Sequence, residues 1–254
     1  MKIVHISDVH VGDSPWSRLE AAARAINALE PNVVVLSGDL TQSGASQEYA
    51  EAARFLALIE SPIVGTPGNH DAPVRNVFAR VLAPFERFAM LGLSTTWRSA
   101  DPPVEITTVN TARPFQARPD WSQGVYPKGA FEPFLDDPAA GAWRIVAAHH
   151  PPISMGGAHV RSDSRRGVQS WDTLGRASRT LLLCGHLHGF SITRVPPTRR
   201  ARMIVAPTMS SGRARSAGHG FVEIDVEPEG LDVTLHLMEA EAYVPALSVF
   251  CGPS

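Results

Sequence analysis

The chemistry-bearing residues of this chain fall in five short clusters. Asp8 and His10 stand in "SDVHVG", Asp39 in "SGDLT", and Asn69, His70 and Asp71 in "TPGNHDAP"; His149 and His150 stand in "AHHPP", and His186 and His188 in "CGHLHG". Each cluster follows an apolar run that reads as a strand. Carboxylates, an amide and imidazoles are thereby delivered to strand ends, where open α/β sheets bind ligands. One such cluster alone proves little. A D-x-H or H-x-H triplet is common by chance, and a lone strand histidine is usually a satisfied core residue, which is how His5 and His236 are read. Gly38, Gly68 and Gly185 fit plain turns equally well. The joint occurrence at five strand ends is what a purely structural account does not absorb. Mixed imidazole, carboxylate and amide oxygen suits Mn, Fe, Co or Zn. Two divalent ions about 3.5–4 Å apart need a bridging carboxylate and enough N and O ligands for two shells, and the clusters supply both.

The elements that must position these residues follow from periodicity. "KIVHIS" (2–7), "VVVLSG" (33–38) and "PIVGT" (62–66) are short and β-branched, as strands buried on both faces are. Between the first two, Leu19, Ala22, Ala23, Ile26 and Leu29 form a helical stripe, and Ser17 with Glu20 reads as a capping box. Tyr49, Ala52, Ala53, Leu56 and Ile59 mark a second helix. The result is a βαβαβ unit with a parallel sheet and right-handed crossovers. Further strands are predicted at 104–110, 144–150, 179–185, 190–195, 202–207, 220–226 and 231–237, the later ones joined by short turns. They suggest a second, more antiparallel sheet stacked on the first. Segments 111–142 and 151–168, rich in Gly, Pro and Arg, read as surface excursions over one end. No repeat, low-complexity tract or long linker divides the chain, so one domain over 1–254 is expected.

A hydrophobic content of 44% and a net charge of −2 describe an ordinary soluble globular protein. The stretch after Met1 is too short and polar for a signal peptide and no run of 18 apolar residues follows, so no membrane insertion is expected. Cys184 and Cys251 cannot build a disulfide framework, which favours a reducing cytoplasm. Charge is unevenly spread: residues 144–215 hold 12 Arg against only Asp163 and Asp172. A basic block of this kind points to an anionic ligand, steered by a one-signed rim. A solvated Arg-rich face is the plainer alternative.

The ordered set D-x-H, G-D, G-N-H-D, H, G-H-x-H spans residues 8 to 188 and resembles the calcineurin-like metallophosphoesterase superfamily, with no ligand position departing from its pattern. The resemblance implies an α/β fold, a four-layer α/β/β/α sandwich of two mixed β-sheets flanked by helices, carrying a dinuclear site. Matched by motif, Asp8, His10, Asp39 and His188 would hold one ion. Asp39 as bridge, with Asn69, His149 and His186, would hold the other. The two divalent ions could be Mn, Fe, Zn or Co. The first His of the "HH" pair matches the family ligand, which leaves His150 as a neighbour. A hydroxide bridging the ions would attack phosphorus in line, and His70, facing the substrate without binding metal, would protonate or stabilise the departing oxygen. Gly68 would permit the tight turn. Asp71 would either orient His70 from behind or simply form the turn.

Flanking residues narrow the family. "GDLTQSG" lacks the D-R-G segment of serine/threonine protein phosphatases, and His70 stands where UDP-diacylglucosamine hydrolases typically carry Arg. The texture of "GDLTQSGASQEYAEAARFL", "GNHD" and "VNTARPF" is similar to bacterial class III cyclic nucleotide phosphodiesterases and glycerophosphodiesterases. The expectation is a metal-dependent phosphodiesterase for a small anionic phosphoester, a 3′,5′-cyclic nucleotide or a glycerophosphodiester. A phosphomonoesterase or nuclease is the alternative, and a non-catalytic metal-binding scaffold is least favoured. Asn110, Arg113, His150, His159 and Arg161 are candidate substrate contacts. Nucleic acid is not favoured as a partner, and a homo-oligomer stays open.

Overall fold

The computed structural model describes residues 1–115, 121–136, 141–154, 164–196, 201–212 and 218–252. In chain order the elements are β1 (Lys2–Ile6), α1 (Trp16–Ala28), β2 (Val33–Leu36), α2 (Ser46–Leu56) and β3 (Ile63–Gly65). The short helices α3 (Val77–Leu82) and α4 (Glu86–Met90) follow, then β4 (Thr96–Ala100), β5 (Pro103–Thr108) and a 3-10 turn at Glu132–Phe134. The rest comprises β6 (Trp143–Ala147), α5 (Gly167–Leu174), β7 (Thr180–Cys184), β8 (Ser191–Val195), β9 (Ala201–Val205), β10 (Gly220–Glu227), β11 (Gly230–Glu239) and β12 (Ala242–Cys251).

Two mixed six-stranded sheets result, ordered β12-β11-β10-β1-β2-β3 and β4-β5-β6-β7-β9-β8. The expected division of the chain into a parallel first sheet and a more antiparallel second one is corrected. The second sheet is mostly parallel, with β4 and β8 as antiparallel edges. The antiparallel β10, β11 and β12 instead extend the first sheet beyond β1. The physical reason lies in β10, which is buried along most of both faces although Phe221 shares the second face with Glu223 and Asp225. Phe221 packs toward the helices while Val222, Ile224 and Val226 pack between the sheets, a burial available only inside a sheet.

Alternation along the strands builds the layers. Ile3, Val33, Val35 and Val64 meet Ile106, Ile145, Leu181 and Ile204 between the sheets. Val4, Val34 and Leu36 point the other way, onto α1 and α2. On the far side, Val146, Leu182 and Met203 meet Trp171 and Leu174 of α5. This is the four-layer α/β/β/α sandwich. Tyr126 and Phe131 are fully buried in that last layer, so this part of the 111–142 segment is core rather than surface excursion.

Two local expectations also change. Helix α1 starts at Trp16 with Pro15 as its cap, and no side chain caps it. The fixed φ of proline suits a helix start, so Ser17 falls inside the first turn and Glu20 accepts from the Trp16 indole at 2.8 Å. The described arginines of the basic block do not form one rim. Arg144, Arg179 and Arg202 stand at or just before the starts of β6, β7 and β9, about 16 Å from the strand ends that carry His149 and His186, at about 3.3 Å per residue. Arg144 and Arg202 are buried and donate to backbone carbonyls of Phe134, Ser178 and Gly252. Arg161, Arg199, Arg200, Arg213 and Arg215 lie outside the described residues.

Candidate metal centre

The five clusters do not share one sheet edge. Those after β1, β2 and β3 belong to the first sheet and those after β6 and β7 to the second, so the site straddles the seam between the carboxyl ends of both. Backbone hydrogen bonds tie the loops together, from Asp8 N to Gly38 O (3.0 Å), His10 N to Asp39 O (3.0 Å) and Gly185 N to His149 O (2.9 Å). Two glycines are there for space. A Cβ on Gly68 would collide with the Asp39 carboxylate and backbone, and one on Gly185 with the Ser7 hydroxyl and Asp8 carboxylate. Gly68 therefore serves close approach, not the unusual backbone angle that a tight turn would demand.

Strain concentrates here. Asp8, His10, Asp39, His186 and His188 all have left-handed φ, between 50° and 69°. Each such residue costs about 1–3 kcal/mol and persists only where the surroundings over-determine it, as at functional sites.

The donor atoms converge. Asp8 Oδ1 lies 3.1 Å from His188 Nε2 and 3.8 Å from His10 Nε2, and the two imidazole nitrogens are 3.2 Å apart. Asp39 Oδ2 lies 3.8 Å from His10 Nε2 and 3.1 Å from His149 Nε2, so this one oxygen faces both groups. His149 and His186 stack edge to face with centroids 5.2 Å apart. Donors about 2.1 Å from a common ion stand about 3.0–3.4 Å from one another, close to these separations. The remaining hydrogen bonds aim the donors. Asp8 Oδ2 accepts from the Ser7 hydroxyl (2.6 Å) and His186 N (2.9 Å), leaving Oδ1 without a hydrogen-bond partner. His149 Nδ1 lies 2.8 Å from Ser37 O and must donate to it, which turns the lone pair of Nε2 toward Asp39. A lone pair facing a carboxylate needs a proton or a cation between them. His149 Nε2 is likewise buried without a hydrogen bond. These orphaned donors fit divalent metal.

Electrostatics agree. Burial alone would raise the Asp8 and Asp39 carboxyls, yet the imidazoles beside them (His188 and His149 foremost) hold both well below the usual carboxylate range. Burial opposes the proton on His149, but the Asp39 charge wins and lifts it to about 9. Burial, with His149 adding to it, drops His186 to about 4, so it is neutral with a lone pair to give.

Around this cluster, His70 Nδ1 lies 2.7 Å from Gln42 O, and its ring meets that of His10 edge-on at 4.8 Å. Asp71 does not bond the His70 ring. Its fully buried carboxylate accepts from Gly68 N (2.8 Å), Thr41 N (2.9 Å), Thr41 Oγ1 (3.0 Å) and Leu40 N (3.3 Å). It clamps the turn carrying Asn69 and His70 to the loop carrying Asp39. Asn69 Oδ1 lies 3.2 Å from His150 Nε2. Both His150 nitrogens are engaged, Nδ1 by the Thr111 hydroxyl and Nε2 by Asn69 and by Ser122 O at 2.8 Å. That leaves it no lone pair for a metal, although it sits beside His149 and His186. Asn110 caps its own turn through Ala112 N, and Arg113 donates to the carbonyls of Asn110 and Ala112. Among the described residues no hydrogen bond or ion pair joins either to the donor cluster. His159 and Arg161 lie outside the described residues. Sequence reading missed Ser7, Ser37, Gln42 and Thr208, the last donating to Asp8 O at 2.6 Å. Only Ser7, next to Asp8, carried a local signal.

A family model for the calcineurin-like phosphoesterase matches residues 1–190. The chain belongs to the calcineurin-like phosphoesterase family. Members are phosphoric ester hydrolases that use divalent metal, and this calcineurin-like phosphoesterase has named relatives among phosphodiesterases. It is similar to a probable cyclic nucleotide phosphodiesterase of Rhodopseudomonas palustris, 28% identical over 204 residues, 74% of this chain and 72% of that one. It is also similar to the 3′,5′-cyclic adenosine monophosphate phosphodiesterase of Escherichia coli, 25% identical over 201 residues (74% and 70%). A probable glycerophosphodiester phosphodiesterase of Arcobacter nitrofigilis is 24% identical over 211 residues (76% and 74%). Among solved structures, a dimetal phosphatase from Danio rerio superposes with a TM-score of 0.64 at 10% identity, covering 100% of this chain and 99% of that one. At that identity the likeness speaks for the fold alone.

Proposed function

We propose that this calcineurin-like phosphoesterase is a dinuclear-metal phosphodiesterase that hydrolyses a small phosphodiester, either a 3′,5′-cyclic nucleotide or a glycerophosphodiester. The observation that carries the reading is Asp39 Oδ2, a single carboxylate oxygen facing His10 Nε2 on one side and His149 Nε2 on the other. Asp8, His10 and His188 with Asp39 would hold one ion, and Asn69, His149 and His186 with Asp39 the other. When bound, the ions would make a nucleophile of water at neutral pH and offset phosphoryl charge. The chain's own groups do the rest. His70 gives its Nδ1 proton to Gln42 O, so Nε2 is the nitrogen left to pass a proton to the departing ester oxygen. His150, kept neutral by burial and by the neighbouring His186 and His149, donates from Nε2 to the Asn69 amide oxygen and steadies it. Ser37 O and Ser7 set the tautomer of His149 and the aim of Asp8.

Two further features bear on where it works. Among the described residues no helix is long and apolar enough to cross a membrane. Cys184 and Cys251 are free and buried, which suits a reducing cytoplasm. The test is Mn²⁺-supported turnover of bis-p-nitrophenyl phosphate against p-nitrophenyl phosphate. The diester should have the higher kcat/KM. A far higher value for the monoester would make the protein a monoesterase.

A further inference from the structure

We propose that a cleft beside His70 is the subsite for a flat heteroaromatic arm of the substrate, a nucleobase, with Trp121 as its stacking face and Arg80 as its edge donor. The proposal rests on the phosphodiesterase reading and selects the nucleotide over the glycerol arm. The cleft, about 260 Å³, is lined by Asn69, His70, Val74, Val77, Arg80 and Trp121. Two of these belong to the metal centre and its proposed acid, so the cleft opens beside the phosphoester position, within reach of a base carried on the sugar of an ester arm.

The walls and the donor define its chemistry. Val74, Val77 and Trp121 are 53%, 57% and 37% exposed, large apolar surface left in water beside a polar centre. Trp121 is held edge-on by Phe115 with centroids 5.4 Å apart, and the Arg80 guanidinium lies over its ring, 5.6 Å from the centroid. Arg80 itself is only 7% exposed. Its Nε donates to Pro114 O (2.7 Å) and its Nη1 to Ala72 O (3.2 Å) and Pro73 O (3.3 Å). Nη2 has no hydrogen bond and no carboxylate neutralises the side chain among the described residues. An arginine fixed through Nε and Nη1 by three carbonyls, with Nη2 left over at the lining of a largely apolar cleft, is a fixed donor awaiting an acceptor. A nucleobase answers both demands, a π face for Trp121 and ring or carbonyl acceptors for Nη2. A glycerol arm offers no such face. A second phosphate would satisfy Arg80 but not the valines.

The test pairs kinetics with binding. For metal-loaded wild type, Trp121→Ala and Trp121→Phe, kcat/KM is measured on cyclic AMP and on glycerophosphoethanolamine, and adenosine binding by calorimetry. In Trp121→Ala the preference for cyclic AMP should fall about tenfold or more, chiefly through KM, as removal of a stacking aromatic does. Trp121→Phe should restore most of it. Adenosine should bind the wild type and lose that affinity in Trp121→Ala. An unchanged preference ratio, or adenosine binding indifferent to Trp121, overturns the subsite. If the wild type cleaves no diester yet binds adenosine through Trp121, the subsite stands and the diesterase reading alone falls.

Discussion

Replacing Asp71 with Asn removes a charge and one acceptor while keeping the shape, and the structure says what that costs. Oδ1 accepts from Thr41 N and Thr41 Oγ1, and Oδ2 from Gly68 N and Leu40 N. An amide has one oxygen, so in either orientation its NH₂ faces two donors. Placed at the Thr41 side, the hydroxyl can turn and accept, and a single backbone N–H is orphaned. Placed at the other side, two are. A buried orphan costs about 1–3 kcal/mol, so the gentler orientation predicts a loss of about 1–3 kcal/mol. At about 2–4 °C per kcal/mol for a chain of this size, the midpoint should fall by about 2–12 °C. Burial and the neighbouring Asp39 push the Asp71 carboxyl up to about 6 against the pull of the Gly68 and Thr41 donors, so above that pH the ionised group works against folding and its removal offsets part of this loss. Since Asp71 joins the Asn69–His70 turn to the Asp39 loop, Mn²⁺ affinity should fall with stability. Calorimetry with a Mn²⁺ titration reads both. An Asn variant with the wild-type midpoint and wild-type Mn²⁺ affinity would refute the clamp.

Two other outcomes follow from the same geometry. His70→Ala should keep its metals and lose about 10²–10⁴-fold in kcat, with the loss shrinking for p-nitrophenolate, which needs little protonation; an equal loss for good and poor leaving groups would make His70 a positioning residue. His149, lifted from 6.5 to about 9 by Asp39 against the pull of burial, contributes stability that is full below pH 6.5 and lost as pH rises through about 9. That is worth about 3 kcal/mol, counted once for the pair, at about 1.4 kcal/mol per tenfold. Metal-stripped protein should therefore unfold more easily at pH 9.5 than at pH 6, while the Mn²⁺-loaded protein, its proton displaced by the ion, should not. A metal-stripped protein with flat stability across that range would remove the Asp39–His149 pair from the account.

What the chain settles by itself is whatever is local. The metal-type donors were legible because each sits within a few residues of an apolar run, so a strand and its terminal cluster are read together. Helices α1 and α2 were legible from their stripes, and His5 and His236 as core residues, now seen bonded to Ser37 and Glu223. Local rules also compete, and there reading failed: Pro15 outbid the Ser17–Glu20 box, Pro245 hid the edge strand β12, and the polar "TWRSA" gave β4 no periodic signal. The rest belongs to tertiary structure because it depends on contacts between distant residues. β1 pairs with β10 across more than two hundred residues, and only that pairing gives the first sheet its antiparallel half. The same long-range closure sets Asp39 between imidazoles from two sheets and turns Asp71 into a clamp rather than a partner of His70. It also brings Trp121 over Arg80 at the mouth of a cleft that neither residue announces. Donor types are a property of the sequence; which donors face one another, and what stands beside them, is decided by packing.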